Sequence, residues 1–283
     1  SKIKQKHFDA IEKLLDSNLQ KKMKSIIEAD TVDIEDILRT VWLGKSATEH
    51  TLELITGYGE IWSAQILKMH LLTQKCSASW LNAREVLVVT PDSAGATVAW
   101  EESQEKMNRH LKNEKSDYMV ITGYVASTKE GVPTTLKRNG SDFSASIFGN
   151  LLSASSITIW TDVDGVLSAD PRCVPEAVVL DELSYQEAME LAYFGAKIIH
   201  PHTMSPAIEK SIPIYIRNSF NPTSVGTKIT KKPKPNKNTF IKGVSTVDAM
   251  ALVNIEGTGM IGVPGVANRL FGAMKEVGVS VVM

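Results

Sequence analysis

Asp142-Phe143-Ser144-Ala145-Ser146-Ile147-Phe148-Gly149-Asn150-Leu151-Leu152-Ser153-Ala154-Ser155-Ser156-Ile157-Thr158-Ile159-Trp160-Thr161 changes its hydrophobic period part-way along. Phe143, Ile147 and Leu151 recur at i, i+4 and i+8, which is one face of a helix spanning 142–154. Ile157-Thr158-Ile159-Trp160-Thr161 then has the length and β-branched content of a strand. Similar short runs occur at Val86-Leu87-Val88-Val89, Tyr118-Met119-Val120-Ile121-Thr122 and Ile212-Pro213-Ile214-Tyr215-Ile216. Continuous apolar strands that alternate with helices predict an α/β chain whose parallel-rich sheet is covered on both faces. A further helix over 185–194 places Tyr185, Ala188, Met189 and Ala192 on one face, and Ser184 followed by Glu187 reads as its capping box.

Outward from this centre the texture changes twice. The first 75 or so residues contain few Gly and no Pro, and Phe8, Ile11, Leu14 and Leu15 fall on one helix face, so this region is predicted helical. Near Lys228 the pattern breaks into Lys228-Ile229-Thr230-Lys231-Lys232-Pro233-Lys234-Pro235-Asn236-Lys237, which reads as a connector unable to hold a helix or a central strand. Beyond it a β-α-β unit is expected from Ala251–Ile255, a helix over 265–276, and Val279–Met283. The expected division is a domain over 1–230, a linker over 231–237 and a partial domain over 238–283.

Composition excludes several functions. Lys+Arg number 31 and Asp+Glu 32, a net charge of −1, so neither nucleic acid nor an acidic membrane surface is an expected partner. Cys76 and Cys173 are too few for a disulfide framework or a Cys-rich zinc site and are expected as reduced thiols. No run approaches the ~20 apolar residues that span a bilayer, and Ser1–His7 lacks the apolar stretch of a signal peptide. A soluble, non-secreted protein is expected. A start without Met suggests a processed or excised chain.

Two loops carry residues suited to chemistry. In Pro133-Thr134-Thr135-Leu136-Lys137-Arg138-Asn139-Gly140-Ser141-Asp142-Phe143, two cations, a Gly, a hydroxyl and a carboxylate feed directly into a helix. Backbone N–H groups, the helix dipole and Arg138 converge there on a place for a carboxylate or phosphate. Asp142 alone fits a helix N-cap equally well; its neighbours Arg138 and Gly140 point to a site. The second loop, Trp160-Thr161-Asp162-Val163-Asp164-Gly165-Val166-Leu167-Ser168-Ala169-Asp170-Pro171-Arg172, follows a strand, where open α/β sheets bind ligands. Its carboxylates miss the calcium-loop spacing and lack the closing Glu, whereas hydroxyl, carboxylates and Arg172 suit a nucleotide with Mg²⁺. The bland reading is ordinary Asp-Gly and Asp-Pro turn chemistry. His200-Pro201-His202 has no further Cys or His nearby to complete a metal site, so no protein-held metal is expected. Gly257-Thr258-Gly259-Met260-Ile261-Gly262 meets the dinucleotide pattern, but the acidic residue about 20 positions on that would support it has no counterpart before Met283.

Three motifs in one order carry a resemblance over roughly residues 50–283. Leu136–Asp142, Trp160–Val166 with Ala169–Arg172, and Phe194-Gly195-Ala196-Lys197-Ile198-Ile199-His200-Pro201 together resemble the aspartate kinase family. Ile255–Met260 with Gly262-Val263-Pro264-Gly265 resembles the opening of an ACT regulatory domain, as in bifunctional aspartokinase/homoserine dehydrogenases. The resemblance implies a three-layer amino-acid-kinase-like fold followed by a truncated ACT-like unit. It implies transfer of the ATP γ-phosphoryl group to the side-chain carboxylate of L-aspartate, the first step towards lysine, threonine and methionine, with Mg²⁺ accompanying ATP.

By motif, Asp142 resembles the acidic residue facing the transferred phosphoryl group. Arg138 and Ser141 resemble the grip on aspartate, and Glu60 in Thr56-Gly57-Tyr58-Gly59-Glu60 resembles the residue meeting its amine. Thr161, Asp162, Arg172 and Lys197 resemble the nucleotide side. Also implied are an amino-acid effector at the ACT region, a homo-oligomer, and a cytoplasmic location, or the plastid stroma in a plant. The family's Lys-Phe-Gly-Gly-Thr-Ser strand has no counterpart in this chain, and Leu167 replaces a common aromatic. This chain alone is therefore expected to be weak or inactive as a kinase. The competing readings are a family relative acting on glutamate or a nucleotide, and a non-catalytic amino-acid-binding or assembly module.

Overall fold

Apolar residues at helical spacing draw the N-terminal region into α1 (Lys2–Leu14), α2 (Ser17–Gly44) and α3 (Glu49–Thr73). The computed structural model describes residues 2–92, 95–193, 201–234, 241–245 and 265–278. Asp16 caps α2 by accepting from the Asn18 and Leu19 amides at 3.0 Å, and Thr48 caps α3. Ile11, Leu15, Met23, Ile27, Trp62, Ile66 and Met69 form the shared core of these helices.

Strands then alternate with helices: β1 (Ala78–Leu81), β2 (Val89–Asp92), β3 (Gly95–Val98), α4 (Trp100–Leu111), β4 (Tyr118–Ile121), β5 (Val125–Ser127), β6 (Pro133–Thr135), α5 (Gly140–Leu151) and β7 (Ile157–Thr161). After them come β8 (Glu182–Ser184), α6 (Tyr185–Tyr193), α7 (Pro201–Glu209), β9 (Ile214–Asn218) and β10 (Thr227–Thr230). β1 and β4 pair in parallel, β2–β3 and β5–β6 are antiparallel pairs, and β7-β9-β10-β8 form a mixed sheet. The chain divides into two units, Ser1–Thr246 and Val247–Met283. The described part of the second contains α8 (Val266–Glu276).

Helix α5 joins two cores. Phe143, Ile147, Phe148 and Leu151 pack with Leu81, Leu87, Met107 and Val125, while Ala145 packs with the cluster holding Ile159, Met204, Ile214 and Ile229. Gly149 permits the close approach to β7, since a Cβ there would lie 2.5 Å from the Ile157 Cδ1. Asn150 donates to the Pro206 carbonyl at 2.7 Å and Lys210 donates to the Asn150 carbonyl at 2.6 Å, which ties the α5 C-terminus to α7.

Several expectations hold: β7 coincides with its predicted span, and Ser184 and Glu187 make the reciprocal capping bonds at 2.7 and 3.1 Å. Others need correction. Val86–Val89 is buried as predicted, but a 3₁₀ turn over Ala83–Glu85 delays the strand to Val89, and the Val88 amide bonds to the Ser103 hydroxyl at 3.0 Å. Lys228-Ile229-Thr230 is not connector: it lies in β10, inside the mixed sheet, with Ile229 fully buried. The alternating residues of this strand look polar because only one of its faces meets the core. The sheet is not covered on both faces throughout, because Trp160 on β7 is 51 % exposed. The expected strands at Ala251–Ile255 and Val279–Met283, and the glycine pattern at 257–262, lie outside the described residues. None of the described helices is long and apolar enough to cross a membrane.

Because Ile147 is fully buried where α5 meets the first core, Ile147→Ala is expected to cost about 2–5 kcal/mol of stability. Chemical denaturation checks this; a loss under about 1 kcal/mol, the scale of a surface change, would place α5 outside the core.

Candidate functional site

The polypeptide leaves β6 through a tight turn before entering α5. Lys137 and Asn139, on either side of Arg138, both adopt left-handed backbone with φ +62° and +56°. Gly140 follows where a Cβ would lie 2.6 Å from the Tyr124 ring, so a larger residue would push the turn away from β5. The turn opens onto a cavity of about 810 Å³ that is also lined by Glu49, Glu53, Pro91, Thr134 and Phe143.

Charges in this cavity are unevenly committed. Lys137 pairs with Glu53 and, at 2.5 Å, with Glu49, while the Thr134 hydroxyl donates to the second Glu53 oxygen at 2.6 Å. The Lys137 ammonium holds the Glu49 carboxyl below its usual range. Arg138 is exposed and, among the described residues, has no hydrogen bond or ion pair. A guanidinium in that state is a bidentate receptor for a carboxylate or phosphate.

Asp142 lies in the first turn of α5 but does not cap it. The N-cap position belongs to Asn139, and Asp142 is the third helical residue, which removes the simple-cap reading. It is partly buried and has no hydrogen-bond or ion-pair partner among the described residues. Burial pushes its carboxyl above the usual value of 3.8. Ser141 beside it is exposed.

Glu60 sits elsewhere. Glu49, Glu53, Thr56, Glu60 and Ser63 share one stripe along α3, but Glu60 is two turns, about 10 Å, beyond Glu53. There it lines a separate cavity of about 510 Å³ with Lys6, His7 and Ala10 of α1. Gly57, between them, leaves room for the Arg84 guanidinium, which a Cβ there would displace.

At the carboxyl end of β7, the Thr161 hydroxyl donates to Asp162 at 3.2 Å, and the Thr161 carbonyl accepts from the Ser219 amide and hydroxyl. Asp164 accepts from Asn218 and Asn221 at 3.0 and 3.1 Å, closing the loop against the end of β9. Arg172 is held by Asp170 through Nε at 3.0 Å and Nη2 at 2.5 Å. Thr161, Asp162 and Arg172 line neither cavity. Lys197 lies outside the described residues. No cluster of three or more potential metal ligands occurs among the described residues. Sequence reasoning missed Glu49 and Glu53 and gave Thr134 and Lys137, quoted within the loop, no separate role; the signal available was an acidic i, i+4 pair at a helix start, complementary to the Lys137-Arg138 cations.

The sequence profile of the amino acid kinase family matches residues 4–218. The chain is 45 % identical over 283 residues to the chloroplastic bifunctional aspartokinase/homoserine dehydrogenase 1 of Zea mays, covering 98 % of this chain and 31 % of that protein. It is 35 % identical to the bifunctional aspartokinase/homoserine dehydrogenase of Haemophilus influenzae, covering 92 % of this chain and 32 % of the relative. The chain thus spans about a third of the length of these curated relatives. The crystal structure of E. coli aspartokinase III in complex with aspartate and ADP superposes with a TM-score of 0.72 at 28 % identity, over 79 % of this chain and 49 % of the other.

The raised Asp142 pKa has a stability consequence. The folded state holds the proton more tightly than the unfolded chain, so ionised Asp142 weakens folding above about pH 4, and that cost disappears once both states are protonated. Asp142→Asn is therefore expected to raise the melting temperature at pH 7, with the gain shrinking as pH falls towards 4. A variant less stable than the parent at pH 7 would show instead that the carboxylate supports α5.

Proposed function

Because the chain belongs to the amino acid kinase family, we propose that it is an aspartate kinase module of the kind its relatives join to homoserine dehydrogenase, transferring the γ-phosphoryl group of ATP to the side-chain carboxylate of L-aspartate. The observation that carries this reading is the Arg138 guanidinium, unpaired among the described residues, opening into a cavity whose α3 wall is acidic. An amino acid with a carboxylate and an ammonium group matches that pair of walls. A nucleoside monophosphate acceptor has no ammonium to offer.

In this reading Arg138, with Ser141 beside it, holds the α-carboxylate of aspartate, and the acidic α3 wall of the same cavity faces its ammonium, with Glu60 left in the separate cavity against α1. The β-carboxylate is then left to react. One of its oxygens bonds to the γ-phosphorus as the bond from that phosphorus to the β–γ bridging oxygen breaks, releasing ADP and 4-phospho-L-aspartate. The attacking carboxylate is already ionised near neutral pH, so no general base is required. Asp142 instead faces the moving phosphoryl group, and positioning with charge neutralisation carries the reaction. Thr161, Asp162, Arg172 and Lys197 serve the nucleotide, and a Mg²⁺ accompanying it would neutralise charge on the phosphates. Residues 1–230 form the catalytic part and 238–283 an ACT-like part that takes an amino-acid effector and builds a homo-oligomer. The plastid stroma is the compartment of this enzyme in a plant.

Isothermal titration tests the substrate assignment. L-Aspartate is expected to bind with a Kd of about 1 mM or tighter, and L-glutamate, one methylene longer, about 10-fold or more weakly. Arg138→Ala should weaken aspartate by at least about 10-fold with ADP unchanged. Preference for glutamate or for a nucleoside monophosphate over aspartate would overturn the proposal.

A further inference from the structure

The turn carrying Arg138 is restrained by side chains that phosphoryl transfer does not itself use. Left-handed backbone is disfavoured for a residue with a Cβ, and lysine lacks the short polar side chain with which asparagine compensates locally. Lys137 nevertheless holds φ +62°. What restrains it comes from α3, more than 80 residues earlier in the chain: its ammonium is gripped by Glu53 and Glu49.

Glu53 is itself fully engaged. Its side chain is 12 % exposed, one oxygen meets Lys137, and the other accepts from Thr134, which is 2 % exposed. Such a pair in a partly dry site resists rearrangement, because moving either partner strands a charge out of water. Lys137 and Glu53 also cancel one another. Arg138 is left as the uncommitted guanidinium of the cavity among its described lining residues.

We propose that Lys137 and Glu53 are positioning residues for substrate selection. Their ion pair clamps the 137–139 turn to α3, aims Arg138 at one carboxylate of a small acidic amino acid, and keeps Lys137 from competing for the second carboxylate, the one that must stay free to accept phosphate. This inference rests on the reading of Arg138 as the carboxylate receptor. It adds that the receptor's direction and the charge count of the cavity are set from α3.

Titration of the full chain with L-aspartate and with ADP, alongside melting curves, tests it. Lys137→Met and Glu53→Gln should each weaken L-aspartate by about 10-fold or more, leaving ADP within about 2-fold. Lys137→Arg, which keeps the charge and the reach, should stay near the parent. The exchanged pair Lys137→Glu with Glu53→Lys should bind L-aspartate more tightly than either single exchange, as direct coupling requires. Parallel losses for aspartate and ADP that track a fall in melting temperature would reduce the pair to a fold-stabilising contact and overturn the proposal. Unchanged aspartate binding in Lys137→Met, with Arg138→Ala still impaired, would overturn the clamp alone. Unchanged binding in Arg138→Ala would remove the receptor assignment on which the clamp depends.

Discussion

Helix α5 is buried on nearly every side, and the remaining structure is arranged around that constraint. Phe143, Ser144, Ser146, Ile147, Phe148, Gly149, Asn150 and Leu151 are all buried, so the helix cannot turn about its axis or slide without opening both the β1–β4 core and the β7–β10 core. Its N-terminal turn is consequently fixed in space. The Lys137–Asn139 turn before it, and Asp142 within it, inherit that rigidity, as a preorganised reaction site requires. Small residues at Gly140 and Gly149 permit the close contacts with Tyr124 and Ile157 that hold it there.

Electrostatics then separates the roles of neighbouring charges. Lys137 is spent on Glu49 and Glu53, Arg172 on Asp170, and Asp164 on two asparagines. Arg138 and Asp142, both within six residues of the clamp, lack such partners among the described residues. A carboxyl that burial pushes above its usual range is costly to keep ionised in a folded protein. A guanidinium lining the cavity and a half-buried carboxyl in the helix turn that follows fit a site that binds one carboxylate and manages charge near a second.

Much of this was legible in the sequence because it is written in local periodicity. The i, i+4, i+8 spacing of Phe143, Ile147 and Leu151 gave α5, and Ser184 with Glu187 gave the start of α6. Lys228–Thr230 misled because adjacent lysines and prolines mask a strand with only one buried face. Val86–Val89 misled because burial of a short apolar run does not by itself decide between a strand and a turn. Glu53 was invisible for a different reason. Its partners Lys137 and Thr134 are brought to it by tertiary folding, and no local pattern encodes a contact across 81 or 84 positions. Glu60 shows the converse: its motif was readable, yet its place two turns beyond Glu53, beneath α1, depends on how the N-terminal helices pack.

The assignment of Arg138 as the carboxylate receptor is most directly examined by a crystal structure of the chain grown with L-aspartate and ADP. The arrangement derived above requires the amino acid in the cavity bounded by α3 and the 137–139 turn, its α-carboxylate bidentate on Arg138, its β-carboxylate unengaged by Lys137, and Lys137 still paired with Glu53. An aspartate bound with Arg138 turned to solvent, or with Lys137 released from Glu53 to take either carboxylate, would contradict it.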